Sequence, residues 1–324
     1  MKGTNRGYDL FKRHINLVFF FVIFLIFIIN DRYSVSAGNI MNILTQNSYI
    51  ITVTMGMAVL MISGSIDISI GAQISLIGII CAWMLTKEGI PVFVVIITAL
   101  LLGILLNLIN ILLSIFLKLP LIIVSIGMMT LYQGIVDLIG TSRAILIYNS
   151  AFRYIGRGYL GPISVQFVLA CIVYICAFLL LQKTYPGRYI YAVGSNNNAA
   201  ELSGINVTFI KTAAAVFCGT AVGIGTLIHI SRMGSAQTGM GAGIELTAIT
   251  AALLGGISVK GGTGKIAEVF LSILSLSWLN YIILMTSTGI HYKNLIGGFL
   301  LILALGYDFY GNRKKQLISN NVKN

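Results

Sequence analysis

Apolar runs long enough to cross a bilayer recur along most of this chain and limit the folds open to it. A helix needs about 20 apolar residues to span the hydrocarbon core. Only 9% of the residues are charged and the mean hydropathy is +0.93, whereas a soluble domain averages about 25% charged residues. Lipid is therefore the solvent for most of the surface. The predicted spans are 15–30, 45–63, 70–86, 91–117, 121–140, 163–182, 207–230, 245–259, 266–287 and 290–308.

Basic residues are distributed unevenly between the connections of these spans. With the N-terminus inside the cell, 14 of the 21 Lys and Arg residues fall on the cytoplasmic side and seven on the outer side. Such an excess in cytoplasmic connections is the usual orientation signal of membrane proteins. We therefore predict an all-α, polytopic membrane protein of about ten transmembrane helices with both termini cytoplasmic. Spans 70–86 and 245–259 are short enough to be half-crossings.

One outer connection departs from this charge pattern. It carries Arg143, Arg153 and Arg157 together with several glycines, and its length favours a small folded cap. The net charge of +12 is otherwise spread between apolar runs, whereas nucleic-acid-binding proteins cluster Lys and Arg on one face. We predict no nucleic-acid partner. The whole chain, 1–324, is predicted to form one transmembrane domain with short basic cytoplasmic tails at 1–14 and 309–324.

A glycine-rich segment near the end of the chain, LLGGISVKGGTGK at 253–265, invites comparison with a phosphate-binding loop. A P-loop has Gly, four residues, and then Gly-Lys followed by Ser or Thr. The pair Gly264-Lys265 would need Gly at position 259 and Ser or Thr at position 266. Val259 and Ile266 stand there. The motif fails, and we predict no nucleotide or other cofactor for this chain.

The residue types that serve catalysis or bind metals are scattered. No group of His, Cys, Asp and Glu has metal-ligand spacing, and no Ser/His/Asp set is recognisable. We therefore predict neither a metal site nor an enzyme. The cysteines lie in apolar runs and the histidines are isolated: Cys81, Cys171, Cys176, Cys218, His14, His229 and His291.

Two apolar stretches, one in each half of the chain, are interrupted by glycine and small polar residues. The first is SGSIDISIG at 63–71, and the second runs from Gly255 to Gly264. Paired interruptions of this kind indicate broken helices along a transport pathway. A carboxylate such as Asp67 costs about 2.5–3.5 kcal/mol at the bilayer centre on insertion scales. Asp67 is therefore predicted either to cap a helix at the inner boundary or to line the pathway.

Other polar residues are placed in pairs on single helix faces. Asn107 and Asn110 are three residues apart, and Gln133 and Asp137 are four apart. Such pairs either join neighbouring helices or line a polar pathway. Glu245 begins an apolar run, where the helix dipole favours a carboxylate. The candidates for the pathway or its gate are Ser65, Asp67, Ser69, Asn107, Asn110, Gln133, Glu245, Gly255 and Gly256.

The longest inner connection, about 183–206, predicts a short helix that cannot cross the membrane. The helix formers Ala199, Ala200 and Glu201 follow three asparagines, and Gly204 is a typical C-cap. This segment is either a solvated connector or a docking element for a cytoplasmic partner. The candidate docking residues are Gly194, Ser195, Asn196, Ala199, Ala200, Glu201, Ser203 and Gly204.

Several ordered motifs in the chain resemble one family. The match extends over about 40–308 and includes the interrupted stretch at 63–71. Its other elements are RYIYAVGSN at 188–196, Ala199-Ala200, LSGIN at 202–206, SRMGSAQ at 231–237, Gly241-x-Gly243-x-Glu245-Leu246-x-Ala248-Ile249, LGGIS at 254–258 and Gly261-Gly262-x-Gly264. The chain thereby resembles the permease subunits of bacterial ABC importers for ribose, xylose, arabinose and galactose.

The resemblance implies a membrane subunit that forms the translocation pathway for a monosaccharide. It implies a second permease subunit, a cytoplasmic ABC ATPase on the loop at 194–206, and an extracytoplasmic sugar-binding protein at the outer face. Four departures from the family pattern leave the specific sugar open: Asn110-Ile111, Gln133-Gly134, Thr238 and Thr247.

Alternatives remain at this stage. A permease of the same type could import a sugar-like autoinducer or, with more distant resemblance, a nucleoside or branched-chain amino acids. A stand-alone secondary transporter would need a coupling-ion site of paired buried acids. Asp67, Asp137 and Glu245 are few for that purpose and lie near the predicted span ends.

Overall fold

The computed structural model describes residues 36–86, 90–140, 143–285, 295–306 and 309. Within them the chain is mostly helical, with two short antiparallel strand pairs, β1 with β4 and β2 with β3. The helices are α1 Ala37–Ile62, α2 Ile70–Thr86, α3 Val92–Leu117, α4 Leu121–Ile139, α5 Ser150–Arg157, α6 Val165–Lys183, α7 Tyr185–Ser195, α8 Asn197–Leu202, α9 Val207–Met233, α10 Ile244–Leu254, α11 Ile266–Met285 and α12 Leu295–Gly306. The strands are β1 Ile145–Leu146, β2 Tyr159–Leu160, β3 Ile163–Ser164 and β4 Ser235–Ala236.

The predicted all-α, polytopic class is confirmed. In the described part of the chain, six helices are long and apolar enough to cross a membrane: α1, α3, α4, α6, α9 and α11. The predicted spans 70–86, 245–259 and 290–308 correspond to the shorter apolar helices α2, α10 and α12. The predicted span 15–30, the tail 1–14 and all but the first residue of the tail 309–324 lie outside the described residues.

Helices α1 and α9 form the centre of the bundle. Both are buried along most of their length, whereas α3, α4 and α6 expose apolar side chains on their outer faces. Small residues let the backbones approach closely, as is common between membrane helices. A Cβ on Gly103 of α3 would collide with the backbone of Gly219 on α9, and Gly56 of α1 packs on Cys218 and Ala221. Packing at this distance fixes the three helices against one another.

The chain breaks between α1 and α2. Helix α1 ends at Ser63, whose N–H donates to the carbonyls of Val59 and Leu60. Gly64 follows with φ +81°, a conformation that only glycine adopts readily, and directs the chain back toward the bundle. Residues 65–69 are not helical, and α2 begins at Ile70. The first interrupted stretch is thus a true helix break.

The loop with three arginines folds, as expected, into a cap. Strand β1 pairs with β4, which follows α9, and β2 pairs with β3 before α6. Helix α5 lies between these pairs and packs on the end of α9. The Phe152 side chain on α5 is fully buried, and the Ser231 hydroxyl donates to the Phe152 carbonyl at 2.7 Å. The cap is therefore fixed to the bundle.

Candidate functional site

A buried polar network surrounds Asp67 in the break between α1 and α2. The carboxylate oxygen Oδ1 accepts hydrogen bonds from the backbone N–H of Ser69 at 2.8 Å and from its hydroxyl at 2.6 Å. The second oxygen, Oδ2, accepts from the amide groups of Gln73 at 3.1 Å and Asn110 at 2.8 Å. Asp67 thus holds the turn that leads into α2, where the positive end of the helix dipole favours a carboxylate.

Helices α3 and α4 complete the network. Asn107 donates to the side-chain oxygen of Gln73 at 2.7 Å, and the Tyr132 hydroxyl donates to the side-chain oxygen of Asn110 at 2.8 Å. The Ser125 hydroxyl accepts from the Ile68 N–H at 3.1 Å. Because both oxygens of Asp67 have two donors each, its carboxylate is fully satisfied within the chain.

The network lies well inside the bundle. Asn110 is eight residues before Lys118, which at 1.5 Å per residue places it about 12 Å from the end of α3. Tyr132 is about 17 Å from the start of α4 by the same measure. Asp67, Ser69 and Asn110 have no solvent-exposed surface. Asp67 is therefore buried inside the bundle beside the start of α2, and its role in the pathway stays a prediction.

The second broken region approaches the first. The segment before α10 runs along α2, where the Gly241 N–H donates to the Ser75 hydroxyl at 3.1 Å. Side chains on Gly71 or Gly241 would collide with the facing segment. Glu245, in the first turn of α10, accepts from the Gly243 N–H at 3.1 Å. Its other carboxylate oxygen is buried and has no partner among the described residues.

The remaining pathway candidates lie elsewhere. Ser65 is buried within the break itself. Gln133 on α4 donates to Asp137 at 3.0 Å on an exposed face, away from the Asp67 network. Gly255 allows α10 to pack on Val269 of α11, and Gly256 follows with φ +80°. The structure thus joins Asp67, Ser69, Asn107 and Asn110 in one hydrogen-bonded network, to which the described hydrogen bonds of the other candidates do not belong.

A glycine-rich junction joins both helix breaks to α7. We name it the inner junction and define it as residues 62–64, 191–195 and 261–264. The Gly262 N–H donates to the Ile62 carbonyl at 2.8 Å, and the Ser195 hydroxyl donates to the Gly262 carbonyl at 3.3 Å. A Cβ on Gly194 would collide with the Ile62 carbonyl. Side chains would force the three backbones apart, so glycine is required for this contact.

Tyr191 adds a fixed contact to the inner junction. Its hydroxyl donates to the Gly264 carbonyl at 2.9 Å. Burial raises the pKa of Tyr191 above its ordinary value, so the hydroxyl keeps its proton, and this bond, throughout the physiological pH range. The end of α7 is thereby held to the loop before α11.

The candidate docking loop folds as the two helices α7 and α8. The Asn196 side chain caps α8 by accepting from the Ala199 N–H at 3.0 Å. Gly204, with φ +82°, ends the helix as the sequence predicts. Ala200 is buried, whereas the other predicted docking residues are exposed except for Gly194, which is half-buried. Leu202 is 91% exposed, an unusual position for an apolar side chain in a loop between two membrane-length helices.

A groove of about 420 Å³ lies between α10, α11 and α12. It is mainly apolar, and its polar lining residues are Thr247, Thr250 and Asn280. Both threonine hydroxyls donate to carbonyls of their own helix. Asn280 makes no hydrogen bond within the described part of the chain. An unpaired amide in a membrane helix needs water or a polar partner, which the groove can supply.

Sequence reasoning missed four residues of interest: Gln73, Tyr132, Leu202 and Asn280. Gln73 lies in an apolar run six residues after Asp67 and offered a polar signal. Tyr132 and Leu202 offered none, because their roles depend on which side of a helix they face. Asn280 is a single amide in the apolar run 266–287 and belongs to no pair of Asn, Gln, Asp or Glu residues on one helix face.

We expect replacement of Asn110 by Leu to destabilise the protein. The change removes one of the two donors to Asp67 Oδ2 and the closer of two acceptors of the Tyr132 hydroxyl. Leaving buried polar groups unpaired costs about 1–3 kcal/mol. Thermal unfolding in detergent should show a midpoint several degrees lower. Gln133→Leu, which removes one exposed hydrogen bond on α4, is the matched control. Equal midpoints for the two variants would contradict a structural role for the network.

Comparison with known proteins gives a consistent result. The family model described as branched-chain amino acid transport system / permease component matches residues 39–305. The ribose import permease protein RbsC of Haemophilus influenzae is 34% identical over 86% of this chain and 88% of its own length. The galactose/methyl galactoside import permease protein MglC of the same species is 28% identical over 96% of this chain and 98% of its own length. RbsC of Escherichia coli K12 is 30% identical over 84% of this chain and 85% of its own length.

No solved structure matches the chain. The family match covers both helix breaks, the inner junction, α7 and α8, and the six membrane-length helices. The chain is a multi-pass membrane protein, and it belongs to the branched-chain amino acid transport system / permease component family, in the branch that contains the ribose and galactose import permeases.

Proposed function

We propose that this chain is the membrane-spanning subunit of an ATP-binding cassette importer that carries a monosaccharide of the ribose type. The observation that carries the proposal is the inner junction. It connects an exposed helical loop to both broken helices. A loop of this kind is suited to pass the movement of a cytoplasmic partner to the membrane helices. Similarity to ribose and galactose import permeases supports the choice of solute.

We also propose that the chain forms one permease domain over 1–324, crosses the membrane about ten times and has both termini in the cytoplasm. Contacts between distant segments support this topology. The predicted inner segments near 64, 194 and 261 meet in the inner junction. The predicted outer segments near 46, 157 and 232 meet in the cap, where Arg232 donates to the Gln46 carbonyl and Arg157 to the Arg232 carbonyl.

The proposed assembly has three further components. A cytoplasmic ABC ATPase would dock on α7 and α8 and hydrolyse ATP, so this chain itself is not the enzyme. A second permease subunit, identical or related, would complete the pathway. An extracytoplasmic binding protein would deliver the sugar. The exposed positions of Glu201 and Leu202 support docking on α8.

The groove between α10, α11 and α12 is the part of the described chain that we propose as a wall of the pathway. Its lining has no charged side chain, and Asn280 offers both a donor and an acceptor. Such a surface suits a neutral, polyhydroxylated solute. The Asp67 network, which has no exposed surface, would instead hold the helix break at 63–69 in shape.

Reconstitution in vesicles tests the function. The complete system, with the cognate ATPase and binding protein, should take up ribose only when ATP is inside and the binding protein is outside. Omission of any component should abolish uptake. Ion-gradient-driven uptake by the chain alone would contradict the importer and support a stand-alone secondary transporter. Uptake of a nucleoside or a sugar-like autoinducer in place of ribose would overturn the choice of solute and leave the importer intact.

Two variants should separate docking from coupling. Leu202→Asp places a charge at the most exposed apolar side chain of α8 and should abolish co-purification of the ATPase. Gly194→Ala should leave co-purification intact but strongly reduce uptake, because the new methyl group forces α7 away from the Ile62 carbonyl. Leu202→Met and Gly38→Ala are controls, since a Cβ on Gly38 meets no atom within 4 Å. Normal uptake by Gly194→Ala would exclude coupling through the junction.

Asn280 provides a test of the pathway. Replacement by Leu removes the free amide from the groove, and losing hydrogen bonds to the solute should lower uptake about five- to tenfold. ATPase co-purification should not change, because Asn280 lies about 21 Å along α11 from the helix start that adjoins the inner junction. Asn280→Gln, which keeps the amide, should retain more activity. Equal uptake by Asn280→Leu and the unmodified chain would show that solute does not use the groove.

A further inference from the structure

The outer cap carries an unbalanced positive charge. Between Asp137 and Glu201 the sequence contains no acidic residue, and the cap contributes Arg143, Arg153 and Arg157. Arginine on the outer side runs against the usual orientation signal of membrane proteins. Arg153 and Arg157 are also four residues apart on α5, a spacing at which like charges repel. A feature that opposes both topology and helix stability calls for a compensating role.

The two guanidinium groups are held close together. A Cβ added to Gly234 would lie 3.5 Å from Arg157 Nη2 and 3.6 Å from Arg153 Nε. Their nitrogen atoms are therefore no more than about 7 Å apart, within one Debye length at physiological salt. Across the described residues the one ion pair joins Lys265 to Glu268, so neither arginine is neutralised by an acid there.

Contacts within the chain explain the position of Arg157 but not that of Arg153. Arg157 donates to the Arg232 carbonyl at 3.2 Å and lies in the last turn of α5, where the helix dipole favours a cation. The side chain of Arg153 makes no hydrogen bond or ion pair within the described residues. The hydrogen bond and the helix dipole therefore explain the position of Arg157, whereas neither packing nor capping explains the charge of Arg153.

Aromatic side chains surround the arginines. Both line a shallow recess of about 450 Å³ together with Tyr148, Tyr154 and Tyr159. The three tyrosines are each more than half exposed. Tyrosine and arginine are enriched at the centres of protein–protein interfaces, where they supply most of the binding free energy. The recess thus has the composition of an interface as well as its charge.

The recess is preorganised. Asn149 caps α5 by accepting from the Phe152 N–H at 3.0 Å, and the Gly156 backbone packs directly on Ser231 and Arg232. The Gln166 amide donates to the Gly156 carbonyl. A surface held in this way loses little conformational entropy when a partner binds.

We propose that this recess docks an acidic surface of the extracytoplasmic solute-binding protein, with a carboxylate of that protein seated between Arg153 and Arg157. The proposal rests on the proposed function, which requires such a partner at the outer face. Charge complementarity identifies the partner's surface as acidic. Exposed tyrosines on a folded, preorganised cap favour a protein over a lipid headgroup, which needs no shaped aromatic surface.

Binding measurements test the interface. The permease–ATPase complex is placed in nanodiscs of zwitterionic phosphatidylcholine, and the affinity of the cognate binding protein is measured at low and high NaCl. Arg153→Glu should weaken binding about tenfold or more, because it opposes like charges at the contact. The affinity of the unmodified chain should fall with salt, and that of Arg153→Glu should depend on salt much less. Poly-L-glutamate should compete with the binding protein for the unmodified chain.

Controls make each outcome decisive. Arg153→Lys keeps the charge and should bind nearly normally, and all variants should co-purify with the ATPase as the unmodified chain does. Equal affinity and equal salt dependence for Arg153→Glu would overturn the interface while leaving the importer in place. Loss of co-purified anionic lipid without loss of binding-protein affinity would assign the recess to lipid and also overturn it. Failure of the unmodified complex to bind any binding protein would contradict the proposed function itself.

Discussion

The burial of one carboxylate, Asp67, constrains the centre of this bundle. A charge at this depth is stable only if donors surround it, and the structure provides four hydrogen bonds to its two oxygens. Those donors come from the break itself, from α2 and from α3, while Tyr132 on α4 fixes the orientation of Asn110. The break between α1 and α2 can therefore exist only with α3 and α4 in place.

The same constraint explains how two half-helices meet inside the protein. The segment that leads into α10 packs directly on the first turns of α2, with Gly241 against Gly71. A helix N-terminus carries about half a positive charge, and the first residues of both helices, Ile70 and Ile244, are buried. The Asp67 carboxylate lies beside the N-terminus of α2 and accepts from the Ser69 N–H. The Glu245 carboxylate lies in the first turn of α10 and accepts from the Gly243 N–H. The acids thus serve the broken helices, which leaves the groove at α10–α12 free of charged side chains.

Much of the fold could be predicted from hydropathy, because the length of each membrane helix follows from the length of its own apolar run. The predicted spans 91–117 and 121–140 differ from α3 and α4 by one residue at an end. The end of α8 near Gly204 could also be predicted, since a C-cap depends on neighbouring residues. The hydrogen-bond partners of Asp67 could not be predicted, because Asn110 is 43 residues away in the sequence. Tyr132 reaches the network, and its polar neighbour Gln133 does not, because adjacent residues point to different sides of a helix. Helix rotation is set by packing, which hydropathy does not determine.

Helix α9 links the two faces on which the proposed partners act. It begins at Val207, directly after α8, and ends at Met233 under the cap, so its 27 residues extend about 40 Å. The turn between α8 and α9 is closed by the Ile205 N–H on the Ala200 carbonyl and by the Asn206 cap on Phe209. Along its length, α9 is fixed to α1 and α3 by glycine contacts that leave no room for independent sliding. Close-packed contacts transmit strain, so a displacement of the docking loop would be carried along α9 to α1, its break and the cap.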